Sequence, residues 1–378
     1  MTNVVIAGYA RSPFHFAGKG ALARVRPDDL AAQVVRGLIE RTGVKPEDIE
    51  DLILGCAFPE GEQGLNVGRL VALLADLPVT VAGMTVNRFC GSSMQSVHIA
   101  AGQIQLGAGE VFICAGVESM SRVPMMGFNP LLNPVLQAKA PGAYLGMGDT
   151  AENVARKWQI TRAEQEAFAV RSHVRAAAAQ KDGNFADEIV PISAGGTTIA
   201  EDGCIRPDTS AGALAGLKPA FSVEGTVTAG TSSPLTDGAA AVLVCSEAYA
   251  ERHGLTPLAR IASVAVAGCA PEIMGIGPVA ATRKALGRAG IDADALDIVE
   301  LNEAFASQAL ACTHDLGLRE ATLNLDGGAI ALGHPLGATG ARITGKAASL
   351  LAREGGRYAL ATQCIGGGHG IATVLERI

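Results

Sequence analysis

The sequence predicts an α/β protein in which one β/α unit is duplicated and a loop-rich segment is inserted into the first copy. Three observations lead to this prediction: strand-like and helix-like segments alternate, the chain contains an internal repeat, and a long Gly- and Pro-containing stretch interrupts the first copy. Of the 378 residues, 48% are hydrophobic and only 4% aromatic, which suits helices packed closely on sheets. The alternation further predicts mostly parallel sheets covered on both faces.

The internal repeat begins with similar patterns near the two ends of the chain. Residues 31–55 and 279–302 each show a helical period, a glycine that ends the helix, an Asp-containing turn and an apolar strand. The two glycines, Gly43 and Gly290, are 247 positions apart. Two further strand pairs follow in the same order, 109–116 with 356–363 and 238–247 with 368–377. Equivalent loops of the two copies should therefore face each other.

The inserted segment is recognised from the junction between the last two strands of each copy. In the second copy these strands follow one another directly through IGGGHG, whereas the first copy is interrupted there by a long stretch that holds a helix pattern over 161–180. We therefore predict three parts: an N-terminal half (1–116 plus 226–250), an inserted loop domain (117–225) and a C-terminal half (251–378).

Charge and cysteine usage exclude several classes of function. The formal net charge is −7 without a run of Lys and Arg, which argues against a nucleic-acid surface. The eight cysteines form no C-x-x-C pair and the seven histidines show no ligand spacing, so we expect neither a metal site nor a disulfide framework. Neither a signal-peptide pattern nor an apolar run of about 18 residues is seen, so a cytoplasmic protein without a membrane span is expected.

Cys90 is the first candidate for chemistry. It lies in NRFCGSS, after an apolar strand pattern over 79–86 and before an amphipathic run. A cysteine at the start of a helix is close to unpaired N–H groups, which favour a thiolate, and Gly91 permits a sharp strand-to-helix turn. The alternative for any cysteine is a small buried apolar side chain, which we accept for Cys114 and Cys245.

His334 is the second candidate because the repeat projects Cys90 onto position 337, three residues away. It lies in GGAIALGHPLGATGAR, whose glycines allow the backbone to approach a ligand closely. A histidine beside a cysteine can take its proton and create a nucleophile. The alternative is a histidine satisfied by loop hydrogen bonds.

Two further residues are candidates at the same end of the predicted strands. Cys364 comes shortly before three glycines in CIGGGHG, whose exposed backbone N–H groups could form an oxyanion hole. Its thiol could act as a general acid and base. An inert thiol in a hairpin is an equal alternative. Asn302 in LNEAFASQ follows a strand, and it either positions water or an oxyanion or serves as a helix N-cap.

The motifs together resemble the thiolase family over essentially the whole chain. The resemblance rests on six blocks in the family's order: NRFCGSSMQS, GMGDTAENVA, GTVTAGTSSPLTDGAAA, NEAFA, GGAIALGHPLGATGAR and CIGGGHG. It implies a five-layered αβαβα fold with an inserted loop domain. It also implies an acyltransferase that cleaves a 3-ketoacyl-CoA with coenzyme A through an acyl-Cys90 intermediate. No permanently bound cofactor is implied, since coenzyme A is a co-substrate.

The same resemblance implies a role for each site residue. His334 would activate Cys90, and Cys364 would move the proton at the substrate α-carbon. Asn302 (through a water) and His334 would form one oxyanion hole, and the backbone N–H groups of Cys90 and Gly366 the other. Four residues would contact coenzyme A or the acyl group: Ser233, Arg206, Met147 and Met274. A homodimer or homotetramer is implied, with a complex with a multifunctional β-oxidation subunit as a further option.

Two positions depart from the family's pattern, and three alternatives stay open. His369 stands where many members carry Gln or Met, and we expect no role for it. Gly146 stands where some short-chain biosynthetic members carry His, which weighs against an acetoacetyl-CoA-specific acetyltransferase. The sequence NRFCGSSMQ resembles that of bacterial fatty-acid oxidation thiolases more closely than that of the biosynthetic members. A ketoacyl synthase and a silent acyl-CoA- or lipid-binding protein are less favoured, because Cys90, His334 and Cys364 are all present.

Overall fold

A computed structural model describes residues 2–378, and within them the chain forms twelve strands and twelve α-helices. The strands are β1 Val4–Arg11, β2 His15–Phe16, β3 Asp51–Gly55, β4 Ala82–Val86, β5 Val111–Ser119, β6 Ile192–Ala194, β7 Thr197–Ile199, β8 Thr236–Ser246, β9 Ala259–Gly268, β10 Ile298–Leu301, β11 Tyr358–Ile365 and β12 His369–Glu376. The helices are α1 Pro27–Thr42, α2 Val67–Leu74, α3 Ser92–Gln105, α4 Pro134–Lys139, α5 Met147–Lys157, α6 Arg162–Lys181, α7 Ala211–Ala215, α8 Glu247–His253, α9 Gly277–Ala289, α10 Ala306–Leu316, α11 Ala329–Leu332 and α12 Leu336–Glu354.

Ten of the strands form one sheet that consists of two similar halves. Its order is β10-β11-β12-β9-β1-β8-β5-β3-β4, and β2 adds to β8. The halves meet where β1 pairs with β9 through only two residue pairs, Val5 with Arg260 and Ile6 with Ala259. The remaining two strands, β6 and β7, pair only with each other. The large sheet is therefore two half-sheets joined along one short seam.

The hydrophobic core divides these elements into five layers. Helices α1 and α2 pack on the outer face of the first half-sheet, and α9 and α10 pack on the outer face of the second. Helices α3 and α12 lie between the two half-sheets, in a cluster that includes Ile53 and Phe112 on one side and Ile298 and Ala361 on the other. This is the αβαβα arrangement that the family resemblance implied. Because both faces of each half-sheet are covered, strands such as β5 are buried at every position.

The duplication is visible in matching boundaries. Gly43 and Gly290 end α1 and α9 with φ of 67° and 70°, a left-handed conformation that glycine adopts without steric cost. Strand β3 begins at Asp51 and β10 at Ile298, and β5 begins at Val111 and β11 at Tyr358. Each of these pairs differs by the 247 positions found in the sequence. The central helices of the two copies, α3 and α12, pack against each other.

The expectation of mostly parallel sheets is wrong. Only β3–β4, β3–β5 and β10–β11 are parallel, whereas the pairings that involve β1, β8, β9 and β12 are antiparallel. The cause is clearest in the second copy, where β12 follows β11 after residues 366–368 alone. A connection that short can only reverse the chain direction, since a parallel pairing needs a crossover of a dozen or more residues.

The segment between β5 and β8 contributes no strand to the large sheet. Its helices α5 and α6 pack against α10, and α6 also packs against α11. Arg11 of β1 joins this segment to the core, because its buried guanidinium pairs with Glu188 at 2.7 Å and holds Asp202 through two hydrogen bonds of 2.7 and 2.8 Å. The division of the chain at 117, 225 and 250 stays a prediction. Among the described residues, none of the helices combines the length and apolar character that a bilayer crossing requires.

Candidate active site

Cys90 lies in the sharp turn between strand β4 and helix α3. Phe89 has a φ of 42°, which directs the chain from the strand into the helix. The Ser92 hydroxyl accepts a 2.9 Å hydrogen bond from the Arg88 N–H and donates one of 2.6 Å to the Phe89 carbonyl. A Cβ on Gly91 would lie 2.5 Å from the Ile365 side chain, so only glycine fits there without displacing the Ile365 side chain. The turn thus presents the thiol immediately before α3.

The surroundings of the Cys90 sulfur leave it as a thiol. Burial raises the pKa of Cys90 to about 12, and the charge of Glu118 acts in the same direction. The Gly366 backbone N–H, directed at the sulfur, opposes this rise. The sequence-based expectation that the helix start favours a thiolate stays a prediction, because burial and the N–H groups act on the pKa of this thiol in opposite directions. A base is needed to remove the proton.

His334 lies between α11 and α12 and is buried. Its backbone N–H donates to the Thr236 hydroxyl at 3.0 Å, and its Nδ1 lies 2.6 Å from Thr339 Oγ1. Its Nε2 lies 3.3 Å from Asn302 Nδ2. Burial, assisted by the charge of Arg342, lowers the pKa of His334 to about 3. The imidazole is consequently neutral around pH 7 and able to accept a proton.

Asn302 follows strand β10 and does not cap a helix. Its N–H donates to the Thr362 carbonyl at 3.0 Å, and helix α10 begins only at Ala306, with Phe305 before it. The N-cap alternative is therefore wrong. The Oδ1 atom of Asn302 is buried without a hydrogen-bond partner. An orphaned buried acceptor beside a histidine is a suitable partner for a bound water.

Cys364 lies at the end of β11, one residue before the turn of residues 366–368 that leads into β12. It is 1% exposed, and burial, followed by the neighbouring Cys90, raises the pKa of its thiol. The two thiols therefore lie near each other, at the cleft where the sequence predicted Cys364 to be. Cys364 and Cys90 line one cavity, and the choice between a reactive and an inert Cys364 thiol stays a prediction.

That cavity has a volume of about 570 Å³ and is lined in part by the segment between β5 and β8. The predicted site residues that line it are Cys90, His334, Cys364, Met147, Arg206, Ser233 and Met274. Asn302 does not line the cavity but contacts His334, and Gly366 lies next to Met147 of the cavity wall. Further apolar side chains complete the wall: Met120, Met125, Phe221, Leu235, Phe305 and Leu336. All the predicted residues therefore meet in one region, although they come from distant parts of the chain.

Sequence reasoning missed three residues that hold this region together. Glu118 is a buried carboxylate at the end of β5, Thr339 contacts His334, and Gln363 donates from its side-chain amide to the Cys90 carbonyl. A signal existed for Glu118, since an acid in a continuous apolar strand needs partners. His369 does not line the cavity. Burial and then the charge of Arg88 lower its pKa, and its Nδ1 has no partner.

Two cysteines and a histidine around an apolar cavity, in a duplicated five-layer core, are the groups expected of an acyltransferase. The chain belongs to the thiolase family: residues 4–248 match the N-terminal thiolase domain and residues 255–377 match the C-terminal thiolase domain. It is 49% identical to the 3-ketoacyl-CoA thiolase of Bacillus subtilis over 389 residues and 49% identical to that of Vibrio cholerae over 390 residues. A 3-ketoacyl-CoA thiolase of Shewanella frigidimarina is 50% identical over 392 residues. In each case the alignment covers 100% of both proteins.

Proposed function

We propose that the protein is a 3-ketoacyl-CoA thiolase that uses coenzyme A to cleave its substrate into acetyl-CoA and a shortened acyl-CoA. The observation that supports this most directly is that Cys90, His334 and Cys364 line one cavity. Each of the three supplies a group that the reaction needs: a nucleophile, a base that activates it and an acid for the leaving carbon.

In the first half-reaction, His334 takes the proton of Cys90, and the sulfur attacks the 3-keto carbon of the substrate. The resulting tetrahedral oxyanion collapses, which breaks the bond between the α-carbon and the former keto carbon. The electron pair of that bond leaves as the enolate of acetyl-CoA, and Cys364 gives its proton to the α-carbon. This step leaves an acyl thioester on Cys90, a protonated His334 and a Cys364 thiolate.

In the second half-reaction, the Cys364 thiolate takes the proton of the coenzyme A thiol. The coenzyme A sulfur attacks the acyl thioester, and a second tetrahedral oxyanion forms. Its collapse releases acyl-CoA and the Cys90 thiolate, which recovers its proton from His334. Protons and charges then return to their starting positions. Acetyl-CoA leaves before coenzyme A attacks the acyl enzyme, which predicts ping-pong kinetics.

Each oxyanion needs its own preorganised donors. The Gly366 N–H lowers the pKa of Cys90, which supports a position close to a carbonyl bonded to that sulfur. We assign it, with the Cys90 N–H, to the tetrahedral intermediates on Cys90. Asn302, through a water, and protonated His334 are assigned to the thioester oxygen of the enolate.

Arg206, Ser233, Met147 and Met274 are proposed to contact coenzyme A or the acyl chain, since all four line the cavity. Coenzyme A then acts as a co-substrate, without a permanently bound cofactor. A homodimer or homotetramer, a complex with a multifunctional β-oxidation subunit and a cytoplasmic location stay predictions. An acetoacetyl-CoA-specific activity is not favoured, because the relatives quoted above are 3-ketoacyl-CoA thiolases.

The test is a thiolysis assay with purified protein on 3-ketoacyl-CoA substrates from four carbons upward. We expect turnover on several lengths, release of acetyl-CoA in a burst, and loss of activity by roughly 10³-fold or more in Cys90→Ala. The matched control is Cys245→Ala, because Cys245 is a fully buried thiol in strand β8, away from the cavity. Absence of thiolysis on every length, or full activity of Cys90→Ala, contradicts the proposal.

A further inference from the structure

We infer that Thr339 is a positioning residue, which fixes the tautomer of His334 so that Nε2 faces the site as a base. The inference rests on the proposed function for its kinetic consequence. The contact itself is independent of that function: Thr339 Oγ1 lies 2.6 Å from His334 Nδ1, and Thr339 is 1% exposed. At that distance the two atoms share a hydrogen, and either one could be its donor.

The neighbouring Pro335 carbonyl decides which atom donates. Thr339 Oγ1 also lies 3.1 Å from the Pro335 oxygen, which carries no hydrogen and can only accept. A hydroxyl has a single hydrogen, so donation to Pro335 leaves only the oxygen lone pairs for His334. This assigns the shared hydrogen to Nδ1, although the Pro335 oxygen also accepts the Ala338 and Thr339 backbone N–H groups at 2.8 and 3.1 Å. If Thr339 donated to Nδ1 instead, two acceptor oxygens would face each other at 3.1 Å.

The other side of the imidazole agrees with this assignment. A neutral imidazole carries one hydrogen, so an Nδ1–H leaves a lone pair on Nε2. Asn302 Nδ2 lies 3.3 Å from Nε2, and its N–H can donate a hydrogen bond to this lone pair. A chain of hydrogen bonds thus runs in one direction: Asn302 donates to His334, and His334 donates to Thr339. It places the basic nitrogen on the side of the ring that faces Asn302.

Thr339 therefore orients the base as the carboxylate does in a Ser-His-Asp triad, but without a negative charge. A hydroxyl gives an imidazolium no ion-pair partner, and Arg342 nearby disfavours that cation. The proton that His334 takes from Cys90 is thus held only weakly. This suits a base that must return the proton at the end of the cycle.

The experiment compares Thr339→Val, which keeps the shape and removes the hydroxyl, with Thr339→Ser, which keeps the hydroxyl. We expect kcat to fall by roughly 10²-fold in Thr339→Val. KM should stay within about twofold, because Thr339 does not line the cavity. Thr339→Ser should retain most of the wild-type kcat. The control is Thr344→Val, since Thr344 is buried on the same helix and donates to the Gly340 carbonyl at 2.7 Å without touching His334. Wild-type kcat in Thr339→Val, or an equal loss in Thr344→Val, overturns the inference.

A second measurement does not depend on turnover. The ¹⁵N spectrum of the wild-type protein labelled in histidine, with the His334 signals assigned by their loss in His334→Asn, reports which ring nitrogen carries hydrogen. We expect a protonated Nδ1 and an unprotonated Nε2 near pH 7, and loss of this preference in Thr339→Val. An Nε2–H in the wild type overturns the inference. An inactive wild-type protein with the expected spectrum instead contradicts the proposed function alone.

Discussion

The carboxylate of Glu118 accepts a 2.9 Å hydrogen bond from the Gly337 backbone N–H, so an acid of the first copy holds the start of α12 in the second. The same side chain accepts from the N–H groups of Ala57 and Phe58 at 2.8 and 3.2 Å and from the Gln63 amide at 2.9 Å. Four N–H donors therefore converge on one buried carboxylate. It ties the helix that follows His334 to the strands of the other half-sheet.

Glu118→Gln should lower the free energy of unfolding by about 2–4 kcal/mol. Each carboxylate oxygen accepts two N–H donors, and the amide NH₂ of glutamine would face two of them with no hydrogen-bond acceptor. The measurement is urea-induced unfolding followed by circular dichroism. Glu110→Gln is the control, because the Glu110 side chain is half exposed and should change stability by less than about 1 kcal/mol. Equal stability of Glu118→Gln and the wild type contradicts this prediction.

Asn302→Asp should reveal an acid limb in the pH profile of kcat/KM. In the wild type the pKa of His334 is lowered to about 3 by burial, so the base is neutral at every pH at which the protein can be assayed. A carboxylate 3.3 Å from Nε2 favours the imidazolium and raises that pKa, so activity should be lost as the pH falls. The matched control is Asn302→Ala, which removes the amide without adding charge. A profile that does not differ between the two variants counts against the prediction.

Alkylation of Cys90 by iodoacetamide should accelerate continuously with pH. Burial raises the pKa of this thiol to about 12, so the thiolate fraction should grow about tenfold per pH unit from pH 7 to pH 10. Peptide mass mapping over that range follows the reaction at Cys90 separately from that at Cys269, which is also partly exposed. A plateau of the Cys90 rate near neutral pH would show instead that the turn and the Gly366 N–H stabilise a thiolate in the free protein.

Arg11→Met should destabilise the protein by about 3–5 kcal/mol, because it leaves Asp202 and Glu188 buried with one cation fewer. The loss is expected to appear first as protease cleavage within the segment between β5 and β8, since Arg11 joins that segment to β1. Arg357→Met is the control, because the Arg357 side chain is 71% exposed and its contact with Glu376 is 3.4 Å. If both variants unfold at the same urea concentration, Arg11 does not have this role.

Local patterns explain which parts of the fold could be predicted from sequence. The helix pattern over 161–180 corresponds to α6, Arg162–Lys181, because a capping box between Thr161 and Glu164 marks its start. The 247-residue offset was reliable because the helix-ending glycines and strand starts are set by neighbouring residues. The meeting of Cys90 with His334 followed from that offset. Their catalytic roles stay predictions.

Strand direction and the supporting side chains could not be predicted, because both depend on distant parts of the chain. Whether β8 runs against β5 is set by the path of the chain between them and not by the apolar pattern of either strand. Glu118 meets Gly337 across 219 positions, a separation that local periodicity cannot show. Thr339 lies only five positions after His334, but the boundary between loop and helix falls between them, so neither a loop nor a helix spacing predicts the contact.

The two copies differ most at one junction, which spans residues 120–235 in the first and residues 366–368 in the second. A symmetric duplication would carry the same connection twice. Here the long connection supplies Met147, Arg206 and Ser233 to the cavity wall, while the short one fixes Cys364 and Gly366. Substitutions in the long connection can therefore reshape the cavity wall without any alteration to the short connection that follows Cys364.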